Sequence, residues 1–338
     1  MKISLCLHTE KNQHNTSYEQ AYHQFIELCV MADRAGFHQI WTGEHHAMNF
    51  AITPNPLLSL MDIAHRTTSI RLGTATLIAP LWHPLRLAEE IAYVDLACNG
   101  RLDIGLSKGA FTYEYQRLMS GLTSDIAGEM LRESVEVIKG LWRGNYAHQG
   151  KYWQFPETSA IPHRQLNHPP LWIAAQSPAT VDFAIANDCH VQMTPLWFGE
   201  EKVNECIDIF HKAKHQYRKP AKLLLLRHVF ITRDRRHKET VLKQFSQFYH
   251  EFFAWFNQSN PVSYGNLQGE IIKNEMFSPE QLEKNLLIGS ATEVVEQLQQ
   301  YNDQGVSEFA LWLANGMSYQ DNYQCLKQFS EEVLPHFK

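Results

Sequence analysis

The chain predicts an α/β fold, a (β/α)8 TIM barrel, and three observations carry that expectation. Short β-rich runs alternate with amphipathic helical stretches from one end to the other. Eight such strands can be counted. Alternation points to a parallel sheet, and a count of eight favours a closed barrel over a doubly wound sheet. No linker, low-complexity tract or residue-level repeat divides the 338 residues, a length that barrels fill as one unit, so a single domain over 1–338 is expected.

The elements follow in order. Residues Ile3–Leu7 alternate like a strand. Tyr18–Ala35 carries Phe25, Leu28, Cys29 and Ala32 on one helical face, with Gly36 as its stop. Gln39–Thr42 is the second strand, and Asn55-Pro56 opens a helix through Arg66 as cap and first position. The third strand is Ile70–Leu77, followed by a helix from Pro84 to about Ala97. Leu102–Leu106 is the fourth strand, and a longer excursion leads to a helix through Leu131, Val135, Ile138 and Leu141. Leu171–Ala175 is the fifth, with a helix Pro178–Asn187 capped by Ser177; Val191–Met193 is a short sixth, with a helix from Glu200 to Tyr217. Lys222–Ile231 is the seventh. An insertion follows it, with a long helical stretch to Phe256, an irregular loop and a helix near Thr292–Asn302. Glu308–Trp312 is the eighth, and a last helix carries Leu326, Phe329 and Val333.

Composition narrows the function classes. At 44% hydrophobic and 20% charged residues the chain has material for a large core and lacks a disorder signature. A formal charge of −6 argues against bulk attraction to nucleic acid or anionic membrane. No apolar run approaches the ~20 residues of a membrane span, and the first residues do not read as a signal peptide. Six scattered cysteines without a CxxC pair fit buried thiols in a reducing cytoplasm better than disulfides or a zinc site.

The chemistry-bearing residues cluster at predicted strand ends. GxGxxG, GxxxxGK[ST] and HExxH are absent. Gly105-Leu106-Ser107-Lys108-Gly109 spells GxSxG, which after a strand could be a nucleophile elbow or simply a glycine loop. Glu44-His45-His46 follows the second strand, where a barrel places its active-site mouth; a histidine there transfers protons, binds metal or is merely structural. The two adjacent histidines point to opposite sides of an extended chain, so a shared metal is not expected. Gln176-Ser177-Pro178-Ala179-Thr180 opens a helix whose free N–H groups would face that mouth, either as an anion site or as ordinary capping. Lys108 could supply an opposing positive charge for a phosphorylated cofactor. The aromatic series Phe245, Phe248, Tyr249, Phe252, Phe253 and Phe256 reads as core or subunit contact rather than substrate box, while Trp255 and Tyr264 lie near a possible lid. His8, Trp197 and Trp312 fall near strand ends, where they shape an apolar substrate pocket or only pack.

Taken together, Trp41-Thr42-Gly43-Glu44-His45-His46, Asn55-Pro56, Gly73-Thr74-Ala75, His83-Pro84-Leu85-Arg86 and Gly100-Arg101-Leu102 resemble the bacterial luciferase-like flavin-dependent monooxygenases. Ala314-Asn315-Gly316 and the ending Val333-Leu334-Pro335-His336-Phe337 resemble the luciferase α subunit in particular. The resemblance is collinear over the chain and weakest between about Asn257 and Leu287. It implies a barrel that takes reduced FMN from a separate flavin reductase, or in some branches the deazaflavin F420. It also implies a C4a-peroxyflavin that oxygenates an aldehyde, ketone or alkane, and a dimer. By the same resemblance His45 is the catalytic histidine, Ala75-Thr76 a non-proline cis peptide under the flavin ring, and Lys108 the phosphate cation. Gln176, Ser177 and Thr180 match the phosphate turn.

Departures qualify these implications. Ser107 stands where the luciferase α subunit has a reactive cysteine. Lys108 replaces an arginine and loses its bidentate fork. Gln176 replaces a glutamate, Thr194-Pro195 a Ser-Trp, and the segment after the seventh strand is shorter than luciferase's lid. The expectation is therefore a dark monooxygenase. An F420-dependent oxidoreductase and a non-catalytic flavin-binding partner subunit are the alternatives.

Overall fold

Each strand pairs in parallel with its predecessor, and the last returns to the first. The computed structural model describes residues 1–11, 16–163, 168–257, 260–313 and 316–337. Its barrel strands are β1 (Lys2–Cys6), β2 (Gln39–Thr42), β3 (Arg71–Thr74) and β4 (Leu102–Ser107), then β5 (Leu171–Ala174), β6 (His190–Met193), β7 (Leu223–Ile231) and β8 (Glu308–Trp312). Closure is made by β8 against β1, with Lys2 opposite Glu308 and Cys6 opposite Trp312. The other seven pairings follow chain order. Every residue of β2, β7 and β8 is buried, as strands covered on both faces require. The expected barrel is the fold.

Helices α1 (Tyr18–Ala35), α2 (Pro56–Arg66), α3 (Pro84–Ala97), α4 (Ser124–Arg143), α5 (Pro178–Ala186), α6 (Glu200–Tyr217), α7 (Arg235–Ala254), α8 (Ala291–Asp303) and α9 (Tyr319–Gln328) cover the barrel. Local signals set their ends. Ser17 and Gln20 form a capping box at α1, and Gly36 closes it in the left-handed region at φ 85°. Asn55 accepts the Leu57 N–H ahead of Pro56 at α2.

The Ala75–Thr76 peptide is cis, as the resemblance implied. Three details differ from the sequence expectation. The third strand breaks after Thr74, and the chain rejoins the sheet at Leu77–Ile78 against Leu106–Ser107. The stretch between α4 and β5 holds an antiparallel hairpin, Tyr146–Gln149 with Gln154–Thr158, whose polar residues give little strand signal. The insertion between β7 and β8 contains α7, a small hairpin (Val262–Ser263 with Asn266–Leu267) and the short helix Pro279–Asn285. It also holds a strand Leu287–Gly289 that extends β7 in parallel. Ala314 and Asn315 of the Ala314-Asn315-Gly316 motif lie outside the described residues.

A polar layer spans the start of the barrel. Glu308 accepts hydrogen bonds from Ser4 Oγ at 2.5 Å and Trp41 Nε1 at 2.8 Å. Asp103 accepts from Trp172 Nε1 at 3.1 Å and pairs with Arg71. Burial raises the Glu308 carboxyl to about 7, against the pull of its Ser4 and Trp41 bonds. All six cysteines are free and buried. No helix among the described residues is long and apolar enough to cross a membrane.

Candidate active site

At the opposite end, where the strands finish, a cavity of about 580 Å³ opens. That volume lies within the ~300–1,000 Å³ of small-molecule sites. His8, His45, Ala75, Thr76, Lys108, Gln176, Ser177, Thr180 and Trp312 all line it, although they come from the ends of six strands. Trp197 does not. Leu196, with φ 52°, turns its own side chain to the cavity and sends the next residue away. Trp197 packs instead against Tyr249 and Phe277 under the insertion.

One end of the cavity is built around His45. Its Nδ1 lies 3.2 Å from Glu114 Oε1, and the same oxygen accepts the His46 backbone N–H at 2.8 Å. Glu114 is wholly buried and its Oε2 has no partner. With Nδ1–H given to Glu114, His45 keeps Nε2 as its free proton acceptor. Glu44, also buried, accepts from the Ile78 N–H at 2.7 Å and Trp82 Nε1 at 2.9 Å, and it meets His46 Nε2 at 2.7 Å. Burial opposes charge on His46, yet the Glu44 hydrogen bond and the charges of Glu44 and Glu114 outweigh it and raise its pKa. His8 behaves oppositely: burial first, then the nearby His45, pulls it down to about 3. Its Nδ1 accepts the Gly43 N–H at 3.3 Å, so neutral His8 presents Nε2–H. Gly43 is needed at this point, because a Cβ would sit 2.7 Å from the Ala75 carbonyl oxygen and 2.9 Å from the His8 ring.

The other end is more open and carries two cations, Lys108 and Arg132, with Asp125 and Glu129 also on its wall. Ser177 caps α5, accepting the Thr180 N–H at 3.4 Å, and the two hydroxyl oxygens lie 3.0 Å apart. Gln176 Nε2 donates to the Thr194 carbonyl, which holds the turn. Lys108 reaches Ser124 Oγ at 2.5 Å, and Arg132 lies over the Phe183 ring of α5 at 4.5 Å. Two cations, two hydroxyls and a helix N-terminus on one wall form a cradle for a phosphate. Between the ends run the Ala75–Thr76 peptide and the apolar side chains Ile78, Leu224 and Leu226. Gln192, 4% exposed, gives its Nε2–H to the Thr74 carbonyl and leaves Oε1 as an unpaired acceptor on this wall. Phosphate cradle, apolar middle and unpaired acceptor suit a phosphorylated, ring-bearing cofactor.

Several residues of the site escaped the sequence reading. Glu114 sits on the short helix Thr112–Leu118, whose relation to His45 is purely tertiary. Phe252 and Phe256 line the cavity, which corrects the reading of their series as core or contact face alone; Phe245, Phe248 and Tyr249 are core. Trp255 is buried against Tyr113, whereas Tyr264 is 94% exposed.

The luciferase-like monooxygenase family model matches residues 1–308. The chain belongs to that family. As a luciferase-like flavin-dependent monooxygenase it is 41% identical, over all of its length and 96% of the relative's, to the oxygenase component of the flavin-dependent trigonelline monooxygenase of Acinetobacter baylyi. Two solved structures share the fold. One is the oxygenating constituent of 3,6-diketocamphane monooxygenase from Pseudomonas putida in complex with FMN (18% identity, 99% and 98% covered, TM-score 0.77). The other is an F420-dependent secondary alcohol dehydrogenase (14% identity, 100% and 99% covered, TM-score 0.79).

In this monooxygenase the GxSxG motif is no nucleophile elbow. Ser107 Oγ is engaged by Thr76 Oγ1 at 2.6 Å and the Gly109 N–H at 3.2 Å. No histidine shares a hydrogen bond with it among the described residues, so it lacks the base a serine nucleophile needs. Nor do the described residues group three metal-ligating side chains anywhere.

Proposed function

We propose that the chain is the oxygenase component of a two-component system, which uses reduced FMN from a separate reductase to place one atom of O2 in a small organic substrate. The observation that carries this reading is the union in one cavity of a phosphate cradle and a carboxylate-oriented histidine. Bound reduced FMN would supply the two electrons and the atom at which oxygen is activated. Ser177, Thr180, Gln176, Lys108 and Arg132 would hold its phosphate, and Ala75–Thr76 with Gly43 would support its ring. His45, oriented by Glu114, would move a proton at Nε2 beside the reacting atoms. The apolar walls would keep water from the site.

The substrate reading shifts from the aldehyde, ketone or alkane expected from sequence. Trigonelline, named for the 41% identical relative, is a zwitterionic N-methylpyridinium carboxylate, and we read this chain's substrate as a compound of that class. The reading also includes one domain over 1–338, a dimer, a cytoplasmic setting consistent with six reduced thiols, and chemistry without light emission. Turnover of trigonelline with reduced FMN under 18O2 tests it. Labelled oxygen in the product is the expected result. Consumption of an alcohol with F420, and none with FMN and O2, would replace it with hydride transfer.

A further inference from the structure

Resting on the reading of a pyridinium-type substrate, we infer that Phe50, Phe111, Phe252 and Phe256 form a cation–π cage that selects a positively charged aromatic ring beside His45. All four line the cavity. Their centroids lie 5.2 Å apart for Phe50 and Phe252, 5.7 Å for Phe111 and Phe252, and 4.7 Å for Phe111 and Phe256. His45 stands 5.4 Å from Phe50 and 5.5 Å from Phe111, so two of the rings border the proton-transfer group.

The rings come from three separate places: the loops after β2 and β4, and the end of α7 in the insertion, where Phe252 and Phe256 are four residues apart. Aromatic faces carry partial negative charge and attract a cation where water is excluded. Phe50, Phe111 and Phe252 are all more than nine-tenths buried, and Phe256 forms the rim at 40% exposure.

The cavity's lysine and arginine, Lys108 and Arg132, lie along the wall that faces α5, where Lys108 bonds Ser124, Arg132 covers Phe183, and Asp125 and Glu129 line the cavity beside them. At the cage end the buried carboxylate Glu44 lines the cavity and Glu114 stands behind His45. His8, held by the Gly43 N–H, contributes a neutral donor. A cationic ring at this end meets aromatic faces with two carboxylates nearby, whereas a neutral ring of the same shape gains only apolar contact.

The test compares N-methylpyridinium with toluene, which match in shape and differ in charge, binding to the FMN-loaded full chain. Phe252→Leu should weaken N-methylpyridinium about tenfold while toluene changes by less than about threefold. Phe252→Trp should keep the cation's affinity, which separates loss of the π face from loss of folding. Equal weakening of both ligands by Phe252→Leu, or no weakening of either, would overturn the cage. The charge-selective loss in Phe252→Leu, together with a wild-type protein that converts no trigonelline, would keep the cage and remove the substrate reading instead.

Discussion

The two ends of the barrel hold buried glutamates under opposite conditions. At the strand starts Glu308 is enclosed by Ser4 and Trp41, beside an Asp103 that is itself bonded to Trp172 and Arg71. At the strand ends Glu114 keeps one oxygen unpaired and uses the other for the His46 N–H and for His45, which lines an open cavity. A buried polar network with its partners in place fixes the core. An unfinished one beside a cavity leaves hydrogen-bonding capacity for a ligand or a proton. The difference teaches that burial of a carboxylate does not locate function; the state of its partners does.

The largest expected effect breaks the upper end. His45→Ala should lower product formation by ~10²–10⁴-fold, the scale of a lost general acid–base, while flavin affinity measured by fluorescence changes only a few-fold. Unchanged turnover would remove His45 from the chemistry.

Next comes the lower end. Burial raises Glu308 above the 4.5 of an ordinary glutamate to about 7, so the folded state holds this proton more tightly than the unfolded state. Its contribution to stability is full below about pH 4.5 and is lost as pH climbs to about 7. Glu308→Gln should therefore flatten the urea-unfolding profile between those pH values, by an upper bound of about 3 kcal/mol. Turnover of the variant at saturating substrate should stay at the wild-type rate. A fall in turnover without a stability change would contradict the structural role of the lower layer.

Glu114→Gln sharpens the comparison further. The amide fills the same volume but loses the charge that orients His45, so kcat should drop about tenfold with KM little changed, and the pH–rate profile should move. A loss confined to KM would make Glu114 a structural group like Glu308. The smallest expected effect belongs to Ser107→Ala, which should retain wild-type oxygenation within a few-fold and reveal no lost esterase activity.

How legible all this was in the sequence depends on the range of the contacts. Strand ends and helix caps are local, and His45, Lys108 and Gln176–Thr180 could be placed at the cavity mouth from alternation and Ser177-Pro178 alone. Glu114 could not, because it reaches His45 across two strands from a helix with no distinctive sequence pattern. Phe252 and Phe256 carry the same period as the core residues Phe245 and Phe248, and helical spacing does not say what faces each turn. Trp197 fell one residue from a wall position, since the positive φ of Leu196 reverses which side chain turns inward.

The central claim is that a phosphate cradle and an oriented histidine serve reduced FMN and oxygen. Anaerobic titration with reduced FMN and, separately, reduced F420, followed by rapid mixing with oxygen, tests it most directly. The account predicts saturable FMN binding that Lys108→Ala weakens about tenfold, and flavin reoxidation whose time course changes when substrate is present. Binding of F420 alone, with no response to oxygen, would contradict it.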